Sequence, residues 1–147
     1  MVSNACFCAN DIYNRKKLRN QYNTDDEDYN CGGYALGIFN WYVPRSGRRG
    51  QVDYRNCTLS SCIQVMLNEL PNVRQITDVR QLHKNEYAVA FRLGRFDFHY
   101  MRRAHNGHWT HKMGAWPIET ILKSDVFSPQ WCDAYDGEIA LLAVRED

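Results

Sequence analysis

Apolar residues recur along this chain at two different periods, and the change from one to the other divides it. Leu59, Cys62, Ile63, Met66, Leu67 and Leu70 fall three and four residues apart, which marks one face of a helix. Thr58 is placed to cap that helix and Pro71 to stop it. A shorter helix is expected to begin at Asn30, a good N-cap residue, with Ala35, Ile38 and Phe39 as its apolar face. From Val73 onward the period is two. Val73 to Thr77 predicts a short strand, Glu86 to Leu93 a longer one, and Gly137 to Val144 a last one. Arg95 to Arg103 and Gly107 to Lys112 read as a hairpin around Asn106-Gly107. Trp116 to Lys123 resembles a short helix, and Pro44 with the following glycines marks a loop carrying Arg45, Arg48 and Arg49. Helices first and strands afterwards predict an α+β fold, with helices packed on a four- or five-stranded antiparallel sheet. A single domain over 1–147 is expected, its core over roughly residues 30–145 and residues 1–29 forming a polar N-terminal extension.

Composition narrows the function classes. Apolar residues make up 44% and charged residues 24% of the 147, the balance of a globular chain. A net charge of +1 gives no electrostatic case for nucleic acid or an anionic membrane, and no nucleic-acid or membrane partner is expected. No apolar run approaches the roughly 20 residues that cross a bilayer, and no signal peptide is visible at Met1 to Cys8. The six cysteines are therefore expected to be reduced thiols in a cytoplasmic protein. Cys6-x-Cys8 does not match a usual zinc spacing, and neither a metal nor a cofactor is expected.

Within that frame one stretch carries chemistry. Asn30-Cys31-Gly32-Gly33 sets a thiol on the first turn of the short helix, behind the acids Asp25 to Asp28. Unpaired N–H groups and the helix dipole favour an anion there, so the thiolate, the nucleophilic form, is favoured too. The bland alternative is a small core cysteine. Gly32 is expected to keep the surface beside the sulfur open, with Tyr22 or Asn30 as a side-chain donor to an oxyanion and Trp109 against the substrate.

The base is sought on the hairpin. Phe96, Phe98 and Tyr100 point one way and Asp97, His99 and Met101 the other, which leaves His99 on the face expected to meet the Cys31 helix. A two-residue turn would put His99 and His111 on opposite faces of the hairpin. A three-residue turn, His105-Asn106-Gly107 with the glycine left-handed, pairs Ala104 with His108 and sets Met101 opposite His111. His99 and His111 then lie diagonally on one face, and this register is the one we expect. Cys31 would attack a carbonyl carbon, His99 would carry the proton, and His111 would orient His99.

A helix-borne cysteine, then a strand histidine, then a polar residue a dozen positions on resembles the NlpC/P60 branch of the papain-like cysteine peptidases. Asn-Cys-Gly-Gly-Tyr-Ala-Leu and Asp-Phe-His…Gly-His-Trp-Thr-His-Lys are also similar to small proteins of bacteriophages and gut bacteria. The resemblance implies a papain-like fold over about residues 30–145 and a metal-free thiol hydrolase acting on a peptide or isopeptide bond of a peptide or protein substrate. It departs from the family where Asn30-Cys31-Gly32-Gly33 replaces an Asp-Cys-Ser-Gly-like motif. Acyl transfer or amide hydrolysis would use the same three residues. A non-enzymatic module that binds and blocks a host factor, acting in a host cytoplasm if phage-encoded, is the alternative, suited by 13% aromatic residues and several arginines. A third class would hold a metal on His99, His108 and His111.

Overall fold

The computed structural model describes residues 30–38, 40, 42, 44, 58–94, 98–113, 117–128 and 138–146. Among these the chain forms helix α1 (Cys31–Leu36), helix α2 (Leu59–Glu69), strand β1 (Val73–Ile76), a 3-10 turn (Val79–Gln81), strands β2 (Glu86–Leu93), β3 (Phe98–Arg103), β4 (Trp109–Lys112) and β5 (Ile118–Ile121), helix α3 (Lys123–Val126) and strand β6 (Ile139–Arg145). The strands make one sheet in the order β1-β6-β2-β3-β4-β5, every neighbouring pair antiparallel.

The expected papain-like arrangement, with helices packed on four or five strands, is overturned. Among the described residues the sheet has six strands, and the helices are short, of six, eleven and four residues. Two local choices account for much of the difference. Ile118-Glu119-Thr120-Ile121 pairs with β4 as a strand where a helix was expected, in keeping with the stiffness of β-branched side chains. The first helix stops at Gly37, whose φ of 72° is left-handed, so Ile38 falls outside it and is exposed. Phe39 lies outside the described residues.

The second helix forms as its periodicity predicts. Thr58 and Ser61 cap it reciprocally, and Cys62, Ile63 and Met66 are buried while Leu59, Leu67 and Leu70 pack partly covered beside them. Both faces of the sheet are covered. On one, α1 and α2 lie over Tyr87, Val89, Phe91, Phe98, Tyr100, Leu142 and Val144. The other holds Ala88, Ala90, Met101, Trp109, Met113, Ile121 and Val126, closed by Val79, Leu82, Ile139 and Leu141. All eight residues of β2 are consequently buried. No helix among the described residues is long and apolar enough to cross a membrane.

Candidate functional site

Asn30 caps α1 as expected, but its side chain is committed to structure. Its Oδ1 accepts from the backbone N–H of Gly33 at 2.9 Å and of Tyr42 at 3.1 Å, while its Nδ2 donates to the Tyr42 carbonyl at 3.0 Å. The amide that was expected to face an oxyanion ties the loop at Tyr42 to the start of the helix. Cys31 beside it is 6% exposed and belongs to the core cluster with Ala35, Leu36, Tyr42, Cys62 and Tyr100. Gly32 does not open the surface near the sulfur. A Cβ there would stand 3.1 Å from both the Tyr100 ring and the Tyr42 carbonyl oxygen, so the glycine is the gap into which those groups fit.

The hairpin adopts the three-residue register. Met101 lies opposite His111, the Ala104 N–H donates to the His108 carbonyl at 2.8 Å, and Gly107 takes φ 91°. His99 and His111 meet as that register requires, Nε2 to Nδ1 at 2.9 Å with the rings nearly perpendicular. Both are fully buried, and both are held below the ordinary imidazole range. Burial is the main cause for each, reinforced at His99 by His111 and the Arg92 charge, and it brings His111 down to about 3. A general base for neutral pH needs a pKa near 7, so the environment works against His99 in that role.

The thiol and the imidazoles are not brought together. Helix α1 lies on β3 and β4 through Tyr34, whose hydroxyl meets Thr110 Oγ1 at 2.6 Å, and through Arg102, which donates to the Tyr34 carbonyl at 3.2 Å. Tyr100, Arg102 and Thr110 therefore face Cys31, and the alternating residues His99, Met101 and His111 face away from it. Arg92, the cross-strand partner of His99, confirms the direction: its guanidinium donates to the carbonyls of Asp125, Val126 and Ser128 at the end of α3, on the second face. Expecting His99 to meet the Cys31 helix assumed that one face of the hairpin was core and the other a site. In the folded chain both faces are core.

Tyr22 and Asp97 lie outside the described residues, as do Cys6, Cys8 and the arginines at 45, 48 and 49. Among the described residues no three His, Cys, Asp or Glu side chains are grouped to hold a metal, and His108 is exposed at the hairpin tip.

Trp109, expected to lie against a substrate, is a buried residue at the edge of a cleft. It is 3% exposed, its ring meets Phe127 edge-on at 5.6 Å, and it lines a cleft of about 480 Å³ on the second face. The 3-10 turn contributes Thr77, Asp78, Val79 and Arg80 to that cleft, the hairpin Arg103 and Gly107, the α3 region Lys123 and Phe127, and β6 contributes Leu141. Arg80 is tied to Asp78 at 2.9 Å, and the hydrogen bonds from Arg80 are the chief reason the Asp78 carboxyl is held down to about 2. Arg103 and Lys123 have no ion-pair partner among the described residues. Sequence reasoning noted arginines around the hairpin as suited to a binding surface but passed over Arg80, Lys123 and Phe127, because they come from separate elements with no common motif. An aromatic at the end of a helix is unremarkable until the chain folds.

No curated protein and no solved structure matches this chain. The model of a domain of unknown function, DUF7689, matches residues 20–126, well over half of the chain, and the chain belongs to that family.

Proposed function

We propose that this chain is a non-catalytic binding domain whose ligand seats in the cleft over Trp109. The observation that carries the reading is the cleft itself: about 480 Å³, open to solvent, with two cations lacking ion-pair partners among the described residues and a half-exposed phenyl ring. Clefts of several hundred Å³ with an apolar floor and a few convergent polar groups are the usual form of a small-molecule site. The competing reading, a cysteine hydrolase running through Cys31, His99 and His111, asks for a nucleophile within hydrogen-bond reach of its base. Here the sheet stands between them, and the thiol is in the core.

Iodoacetamide labelling of the native protein from pH 5 to 9, with the modified sites assigned by mass spectrometry, separates the two. The binding reading expects Cys31 to label as slowly as the buried Cys62, and Cys31→Ser to leave ligand binding unchanged. Selective labelling of Cys31 well below pH 8, abolished in His99→Gln, would overturn it in favour of the hydrolase.

A further inference from the structure

We propose that the cleft over Trp109 takes a small organic anion, a phosphate or carboxylate carried on a flat apolar group. The proposal rests on the binding reading above and adds the ligand's chemistry. Among the described residues the lining of the cleft holds Arg80, Arg103 and Lys123 against a single acid, Asp78. Arg80 and Asp78 satisfy one another, and the Lys123 charge also acts on Asp78 from a greater distance, while neither Arg103 nor Lys123 has an ion pair of its own among the described residues. Arg103 is half-buried, at the end of β3, and its Nη2 lies 3.4 Å from where a Cβ on Gly107 would be, so the guanidinium lies beside the hairpin turn. A guanidinium is well suited to bidentate binding of a carboxylate or phosphate, and the Lys123 ammonium in the same cleft adds a point charge.

The apolar half of the ligand is specified by the side chains beside these cations, Trp109 being the cross-strand partner of Arg103 and Phe127 lying one turn after Lys123. Phe127 is 36% exposed although its ring packs edge-on against Trp109, and Val79 and Leu141 are each only partly covered. A flat group laid there would extend the Trp109–Phe127 contact and remove apolar surface from water. An anion alone would leave that surface wet, and a neutral aromatic would leave Arg103 and Lys123 unmet. The ionised Asp78 at the rim disfavours a second negative group near Arg80, so a compact monoanionic or dianionic head fits better than an extended polyanion.

The test is a titration of the full chain, followed by amide ¹H–¹⁵N spectra, with phenyl phosphate, benzoate, inorganic phosphate and benzyl alcohol. Expected are shifts at Gly107, Trp109, Lys123 and Phe127 with phenyl phosphate or benzoate, and affinities about tenfold weaker for inorganic phosphate and benzyl alcohol. The stronger of the first two identifies the head group. Arg103→Gln and Lys123→Gln should each weaken binding by about fivefold to tenfold while the rest of the spectrum stays in place, Lys123 being a solvent-exposed check on folding. Benzyl alcohol binding as well as phenyl phosphate, or Arg103→Gln binding unchanged, would overturn the ligand class and leave the cleft as a site. No shift at any cleft residue with any of the four probes would overturn the binding reading itself.

Discussion

At the scale of single residues, chemistry-bearing side chains in this protein take structural duties. Asn30 spends its amide on Gly33 and Tyr42, and Gly32 makes room for the Tyr100 ring. Helix propensity alone would make Gly32→Ala stabilising by up to about 1 kcal/mol. The new Cβ would press on a backbone carbonyl as well as a ring, and overpacking of that kind costs about 1–3 kcal/mol. The second effect wins, so Gly32→Ala should lower the urea midpoint with an unchanged slope. A midpoint equal to or above that of the parent would mean that Tyr100 and the loop at Tyr42 yield freely. Asn30-Cys31-Gly32-Gly33 was legible as a capped helix start. Its resemblance to a nucleophile motif was not decisive, because the same small residues are needed wherever a helix end packs tightly.

At the scale of elements, the hairpin was the most legible part of the chain. Asn106-Gly107 named the turn, and of the two registers it allows, the expected three-residue loop with a left-handed Gly107 forms and sets Met101 opposite His111. Gly107 at φ 91° should therefore be hard to replace. Gly107→Ala is expected to cost about 1–2 kcal/mol, and Gly107→Asn less, because asparagine tolerates a left-handed backbone better than alanine. Thermal denaturation of the two variants checks the order; equal losses would point to the contact with Arg103 rather than to the backbone. Ile118 to Ile121 was misread because four residues are too few to display a period, and pairing with β4 decides their conformation. Pairing with β4 also places Glu119 beside His111, a juxtaposition absent from any local pattern.

At the scale of the whole molecule, the sheet is both the core and the partition. It buries His99 and His111 on one side and Cys31 on the other. Both imidazoles are held neutral in the folded state, with pKa values below the 6.5 they take when free. As pH falls through about 6.5 the unfolded chain gains protons that the folded chain refuses, so stability drops, by up to about 1.4 kcal/mol per pH unit for each histidine. Above about 6.5 the pair contributes no such penalty. Glu86, held down to about 2 chiefly by Arg74, adds a further loss that begins only below its ordinary value of 4.5. Urea midpoints should therefore decline steadily from pH 6.5 to 5, before any carboxylate contributes, and His99→Gln should make that segment shallower whatever it does to stability at pH 7. A flat profile from pH 7 to 5 would mean that the imidazoles are not buried as a neutral pair. The family match ends at residue 126, yet β6 sits between β1 and β2, so the folding unit includes Ile139 to Arg145.

What the sequence determined by itself is whatever depends on near neighbours. The span and caps of α2, the turn at Gly107 and the strand β2 follow from spacing and backbone preference within about a dozen residues, and the meeting of His99 with His111 follows once the three-residue turn is taken. What only the tertiary structure decided is which side of the sheet each helix covers. Alternation says that His99 and Tyr100 point oppositely, but nothing local says which of them α1 will face. Tyr34, Arg102 and Thr110 settle that through contacts 68 and 76 residues apart in sequence. The same long-range packing brings Asp78, Arg103, Lys123 and Leu141 around one cleft. Burial free energy depends on surfaces that meet only after folding, and a linear pattern of apolar and polar residues does not carry that information.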